Sequence, residues 1–88
     1  MTNFSPYHSL AVEVTDWTAK AVAQAILNSG KSQLRISEET GVPRPTLRRK
    51  LKAATAFNWA ELILLAEATG VHPSTFTPES FRKPKPTA

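Results

Sequence analysis

The sequence predicts an all-α domain: a compact bundle of four to five helices, with one short N-terminal strand as an open alternative. Three observations predict it. Apolar residues recur at helical spacing in the segments that follow Thr15, Ser32, Pro43 and Asn58. The three glycines, Gly30, Gly41 and Gly70, stand where such segments stop. The length of 88 residues, 41% hydrophobic and 20% charged, fits one small globular domain rather than a disordered chain.

Residues 1–14 are expected to be an arm or a strand. From His8 to Val14 the pattern alternates, with Leu10, Val12 and Val14 on one side. That suits a strand, which would pair with a second copy of the chain, or an extended arm packed on the helices. The helical domain then spans residues 15–76. Thr15 or Asp16 caps the first helix, whose apolar positions are Trp17, Ala21, Val22, Ala25 and Ile26. Ser32 caps a second, Gln33 to Thr40. Pro43 and Pro45 open a third, to about Lys52, because proline lacks only an N–H that a first turn leaves unpaired anyway. Asn58 caps a fourth, Trp59 to Thr69, with Leu62, Ile63, Leu65 and Ala66 inward. A short turn at residues 72–76 closes the domain. Residues 77–88 hold three cations and three prolines and little to bury, and read as a mobile basic tail.

Several function classes are disfavoured. Without cysteine there is no disulfide scaffold and no thiolate metal site, which suits a reducing cytoplasm. No apolar stretch is long enough to span a bilayer. The first fourteen residues carry no cation, so a secretory signal is not expected, and the sequon at Asn3 reads as chance. His8 and His72 lack partners at ligand spacing, so no metal or cofactor is expected. Glu38 and Glu39 are adjacent and face different ways, unlike a catalytic pair, and no phosphate loop occurs. No enzyme and no small-molecule ligand is expected. Trp17, Phe57 and Trp59 suit a core better than base stacking.

Charge is the informative feature. The net value is +4, but residues 31–55 alone carry +5, against −1 for residues 1–30 and −2 for residues 56–76. At about 100° per residue, Leu47 and Leu51 define the buried side of the third helix. Arg44, Arg48 and Lys52 form a row beside them, Arg49 lies opposite, and Lys50 flanks the other edge. No acid occurs between Glu39 and Glu61. A solvated helix would gain from interleaved acids. One that omits them is expected to meet an external polyanion, nucleic acid first and anionic membrane second.

The stretch Gln33-Leu-Arg-Ile-Ser-Glu-Glu-Thr-Gly-Val-Pro-Arg-Pro-Thr-Leu-Arg-Arg-Lys-Leu-Lys52 resembles the helix-turn-helix of the Cro/phage-repressor (Xre-like) family. Gly41 takes the turn glycine, Val42 and Leu47 the buried positions, Ile36 the apolar residue of the first helix, and Gln33 its opening glutamine. Residues 61–76 resemble the family's closing segment, so the likeness spans about Trp17 to Phe76. Ser37 stands where the family has alanine, and Thr40 where it has a bulky apolar residue. Pro45 replaces an amide or hydroxyl that often faces a base. The resemblance implies a lambda-repressor-like fold whose third helix enters the DNA major groove. It implies Arg44, Pro45, Arg48 and Arg49 as base-reading residues. Lys31, Gln33, Arg35, Lys50, Lys52 and Asn58 are the expected phosphate contacts.

The expected function is a sequence-specific, duplex-DNA-binding transcriptional regulator. The likeness implies a small Cro-like or repressor protein of phage or bacterial origin, acting in the cytoplasm as a homodimer on an inverted repeat. Its pairing surface is either the Leu10–Val14 segment or the face around the fourth helix and Phe76. The alternatives are a DNA-bending architectural or excision factor, and the antitoxin of a toxin–antitoxin pair.

Overall fold

Four α-helices and one 3-10 turn make up the computed structural model, which describes residues 6–78. They are α1 (Pro6–Ser29), α2 (Gln33–Thr40), α3 (Arg44–Leu51), α4 (Trp59–Thr69) and a closing 3-10 turn (Pro73–Phe76). The expected basic tail lies outside the described residues from position 79 onward.

Each element contributes one large, fully buried side chain: Val22, Ile36, Leu47, Leu65 and Phe76. They meet in a single core with Ala25, Ile26, Val42, Leu62, Ala66 and Ala68. Burying a side chain of this size contributes about 1.5–3 kcal/mol, and no element has enough apolar surface to be stable alone. Phe76 is thus interior. Trp17, Trp59 and Ile63 depart from expectation, since all three lie largely outside the core.

Local chemistry sets the helix limits. The Ser32 hydroxyl accepts the Arg35 N–H at the start of α2. Gly41 ends α2 in the left-handed region at φ 79°, and its N–H donates to the Ser37 carbonyl. A Cβ there would meet nothing within 4 Å, so the glycine answers to backbone conformation rather than to space. Asn58 and Glu61 form a reciprocal capping box at the start of α4. Before the 3-10 turn, His72 Nδ1 accepts the Ser74 N–H.

The N-terminal strand is not formed. Residues from Pro6 onward are helical, and α1 runs unbroken to Ser29. Thr15 is no cap: its hydroxyl donates to the Ala11 carbonyl inside the helix. Asp16 pairs with Lys20 one turn on. The alternation at Leu10, Val12 and Val14 was also compatible with a helix, because Tyr7, Leu10, Ala11 and Val14 recur at i, i+3, i+4 and i+7. Proline in the first turn favours that second period.

Candidate nucleic-acid interface

The three-residue connection from α2 to α3 is braced from within. The Thr40 hydroxyl donates to the Ile36 carbonyl (2.7 Å) and accepts the Val42 N–H (3.2 Å). The Ser37 hydroxyl donates to the Val42 carbonyl (2.6 Å). Both groups of the buried Val42 peptide are therefore satisfied by side chains that a purely apolar connection would lack. Leu47 then anchors α3 on the core, and its opposite side faces solvent.

Arg44, Pro45, Arg48, Arg49 and Lys52 are all exposed. The described residues hold eight lysines and arginines, and four are paired with acids: Lys20 with Asp16, Lys31 and Arg35 with Glu39, and Lys50 with Glu61. Arg44, Arg48, Arg49 and Lys52 form no side-chain hydrogen bond or ion pair with any described residue. The four unpaired cations thus lie on one helix and its last cap. Like charges so close together on a short helix repel, and no described acid pairs with them; only the carbonyl end of α3, beside Arg48 and Arg49 in its last turn, offsets part of the charge.

Lys50 sits elsewhere than expected. Its ammonium bonds both oxygens of Glu61 at 2.7 Å, and the two side chains are only 14% and 15% exposed. Glu61 Oε1 also accepts the Asn58 N–H, and Asn58 Oδ1 accepts the Glu61 N–H. Lys50 therefore ties α3 to the capping box of α4. Burial pushes the Glu61 carboxyl up. The Lys50 hydrogen bond, the Asn58 N–H and the Lys50 charge outweigh it, and the carboxyl is held below the ordinary glutamate value.

Lys31 is similarly occupied, by Glu39 (2.8 Å) and by the Ala68 carbonyl near the end of α4 (2.8 Å). That carbonyl belongs to the negative end of a helix dipole, which a cation offsets. Arg35 donates through Nε to Glu39 and stays largely exposed, so its terminal N–H groups remain available among the described residues. Hydrogen bonds from Lys31 and then from Arg35 hold the Glu39 carboxyl below its ordinary value. Gln33 is exposed at the first position of α2.

Among the expected residues, Arg44, Pro45, Arg48, Arg49 and Lys52 are thus exposed on α3 or at its last cap. Gln33 and Arg35 are exposed on α2, while Lys31, Lys50 and Asn58 serve internal contacts. Sequence reasoning missed Glu61 and Glu39 as organisers. The Asn58-x-x-Glu61 spacing was a readable capping signal, and the i, i+4 spacing of Arg35 and Glu39 a readable ion pair. Among the described residues no group of His, Asp or Glu is placed to hold a metal ion, and no helix is long and apolar enough to cross a membrane. Comparisons of the chain with family models, with curated proteins and with solved structures give no match.

Proposed function

We propose that this chain is a duplex-DNA-binding regulator in which α2, the connection and α3 act as a helix-turn-helix of the Cro/phage-repressor kind. The observation that carries this reading is the set of four cations on α3 and its last cap, unpaired within the described chain while the remaining cations there have acidic partners. A row of phosphates is the counter-charge such a helix lacks. In this reading Arg44 and Arg49 reach base edges from the start and the outermost line of α3. Arginine is suited to guanine because its fork meets O6 and N7 together. Arg48 and Pro45 complete the base-facing surface, Pro45 through apolar contact alone. Lys52, Gln33 and Arg35 meet phosphates. The protein works as a pair of chains on an inverted repeat, so that two reading helices lie about 34 Å apart on one face of the duplex.

One observation favours a second reading, an architectural factor. Pro45 is the one uncharged residue on the outer line of α3, and proline donates no hydrogen bond. A helix that offers little but charge can hold DNA without reading it.

Selection of bound sequences from random duplex DNA separates the two. An enriched inverted repeat supports the regulator. Binding without enrichment supports the architectural factor. No duplex binding at low salt overturns both.

A further inference from the structure

The core-facing stripe of α1 does not stop where the core stops. Thr18, Ala19, Val22, Ala25 and Ile26 are buried. Continued toward the N-terminus at the same helical spacing, the stripe runs through Tyr7, Ala11, Val14 and Thr15. Val14 and Thr15 are half-buried beside the start of α4 and the closing turn, whereas Ala11 is exposed and Tyr7 is 74% exposed. The residues of α1 before the half-buried Val14 make about two turns of helix that project past the rest of the bundle. Two turns of helix without packing are marginal in water.

The uncovered stripe joins a second exposed surface. Val14 and Trp59 line one groove, of about 150 Å³, floored by Leu62 and Phe76. Trp59 is 64% exposed, and one turn further along α4 Ile63 is 55% exposed. The patch from Tyr7 through Val14 to Trp59 and Ile63 contains no cation, and the nearest acid on α1, Glu13, points away from the stripe. A polyanion has nothing to bind there.

We infer that this patch is the surface on which two copies of the chain pair, with the N-terminal turns of their α1 helices antiparallel across Ala11. Three considerations select a second copy as the occupant. Full side-chain areas of roughly 150–250 Å² for the aromatic residues, scaled by exposure, give on the order of 500 Å² per copy. Two copies therefore cover about 1,000 Å², the lower bound for a specific interface. The patch is uncharged and self-complementary about a two-fold axis, as an isologous contact requires. Ala11, small and exposed, lets two helices approach closely. Antiparallel pairing centred there sets Tyr7 of one copy against the Val14–Thr15 turn of the other, at the mouth of the Trp59 groove. A void of about 150 Å³ receives a benzene ring, so the groove takes the tyrosine ring.

The interface stands on its own geometry; its use in spacing two α3 helices rests on the DNA reading above. The chain has no cysteine, which permits a direct test. Ala11→Cys should crosslink to a dimer under mild oxidation, while Ser9→Cys, on the far side of α1, should not. Ala11→Glu should weaken dimerisation at least tenfold by sedimentation equilibrium, with helicity by circular dichroism unchanged. A wild-type chain that stays monomeric to high micromolar concentration overturns the proposal, and leaves the patch to a different partner. So does equal crosslinking of both cysteine variants. Duplex binding by the same samples reports separately. Dimers without DNA binding retain the interface and refute the DNA reading; DNA binding by a strict monomer does the reverse.

Discussion

Ala53, just past the cap of α3, has φ 61°, the one described non-glycine residue in the left-handed region. Its N–H donates to the Lys50 carbonyl, and the Ala54 N–H donates to the Arg49 carbonyl, a closing arrangement that usually carries glycine. An alanine held there carries a backbone cost of about 1–2 kcal/mol. Ala53→Gly is therefore expected to raise stability by about 0.5–1 kcal/mol, after allowing for the greater freedom of glycine in the unfolded chain, as a shift in the urea midpoint. Thr40→Val tests the brace from the other side. It leaves the buried Val42 N–H without its acceptor and should lower stability by about 1–3 kcal/mol. Under the proposed DNA reading, Arg49→Ala should cost about 1–3 kcal/mol on a selected site and relax preference at one or two base pairs. Lys52→Ala should weaken every duplex by a similar factor. Titrations on the selected site, its single-base variants and random duplex distinguish the two.

Between elements, the contact with a measurable consequence is Lys50 with Glu61. Lys50→Ala strands a carboxylate that is 15% exposed, and should lower stability by about 2 kcal/mol. Because the pair fixes α3 against α4, specific DNA binding should fall with it. A conservative Lys50→Arg replacement should restore much of both. If Lys50 acted only on phosphates, stability would be unmoved. The same pair gives a pH dependence. The folded-state value of Glu61 lies below the ordinary 4.5. Its contribution is thus complete above the unfolded value and is lost as pH falls through the lower, folded one. Glu39 acts in the same direction. Chemical denaturation from pH 7 down to 3 should show stability declining below about pH 4.5, and less steeply in Glu61→Gln.

For the whole molecule, charge and shape mark two separate surfaces, which the proposals above assign to DNA and to pairing. The cations of α3 occupy one region, and the uncharged overhang of α1 with Trp59 another. If about four to six phosphate contacts form per chain, log affinity should fall with log salt at a slope of roughly −4 to −5 per chain. Pairing through the α1 patch buries no charge on those residues, so dimerisation should be nearly independent of salt over the same range. Measuring both dependences on one preparation checks the division. A dimer that falls apart as steeply as the DNA complex would contradict it.

Much of this was legible before any coordinates. Ser32 and Gly41, Asn58 and Gly70 bounded α2 and α4, because capping and left-handed termination are local chemistry. Leu47 opposite Arg49 likewise fixed which side of α3 is buried. The limit of local reading shows at residues 6–14, where one set of apolar positions fits both a strand and a helix. A period-two and a period-3.6 pattern cannot be separated over so short a run. It shows again on α3, where Arg48 and Lys50 stand about equally far from the two leucines on the wheel, and charge treats them alike. What separates them is a neighbour distant in sequence: α4 places Glu61 beside Lys50 and no acid beside Arg48. Sequence by itself determined α2, α3 and α4, the buried side of α3 and the excess of positive charge. Tertiary structure decided which of those charges are neutralised at home, because that depends on which acids packing brings within about 3 Å.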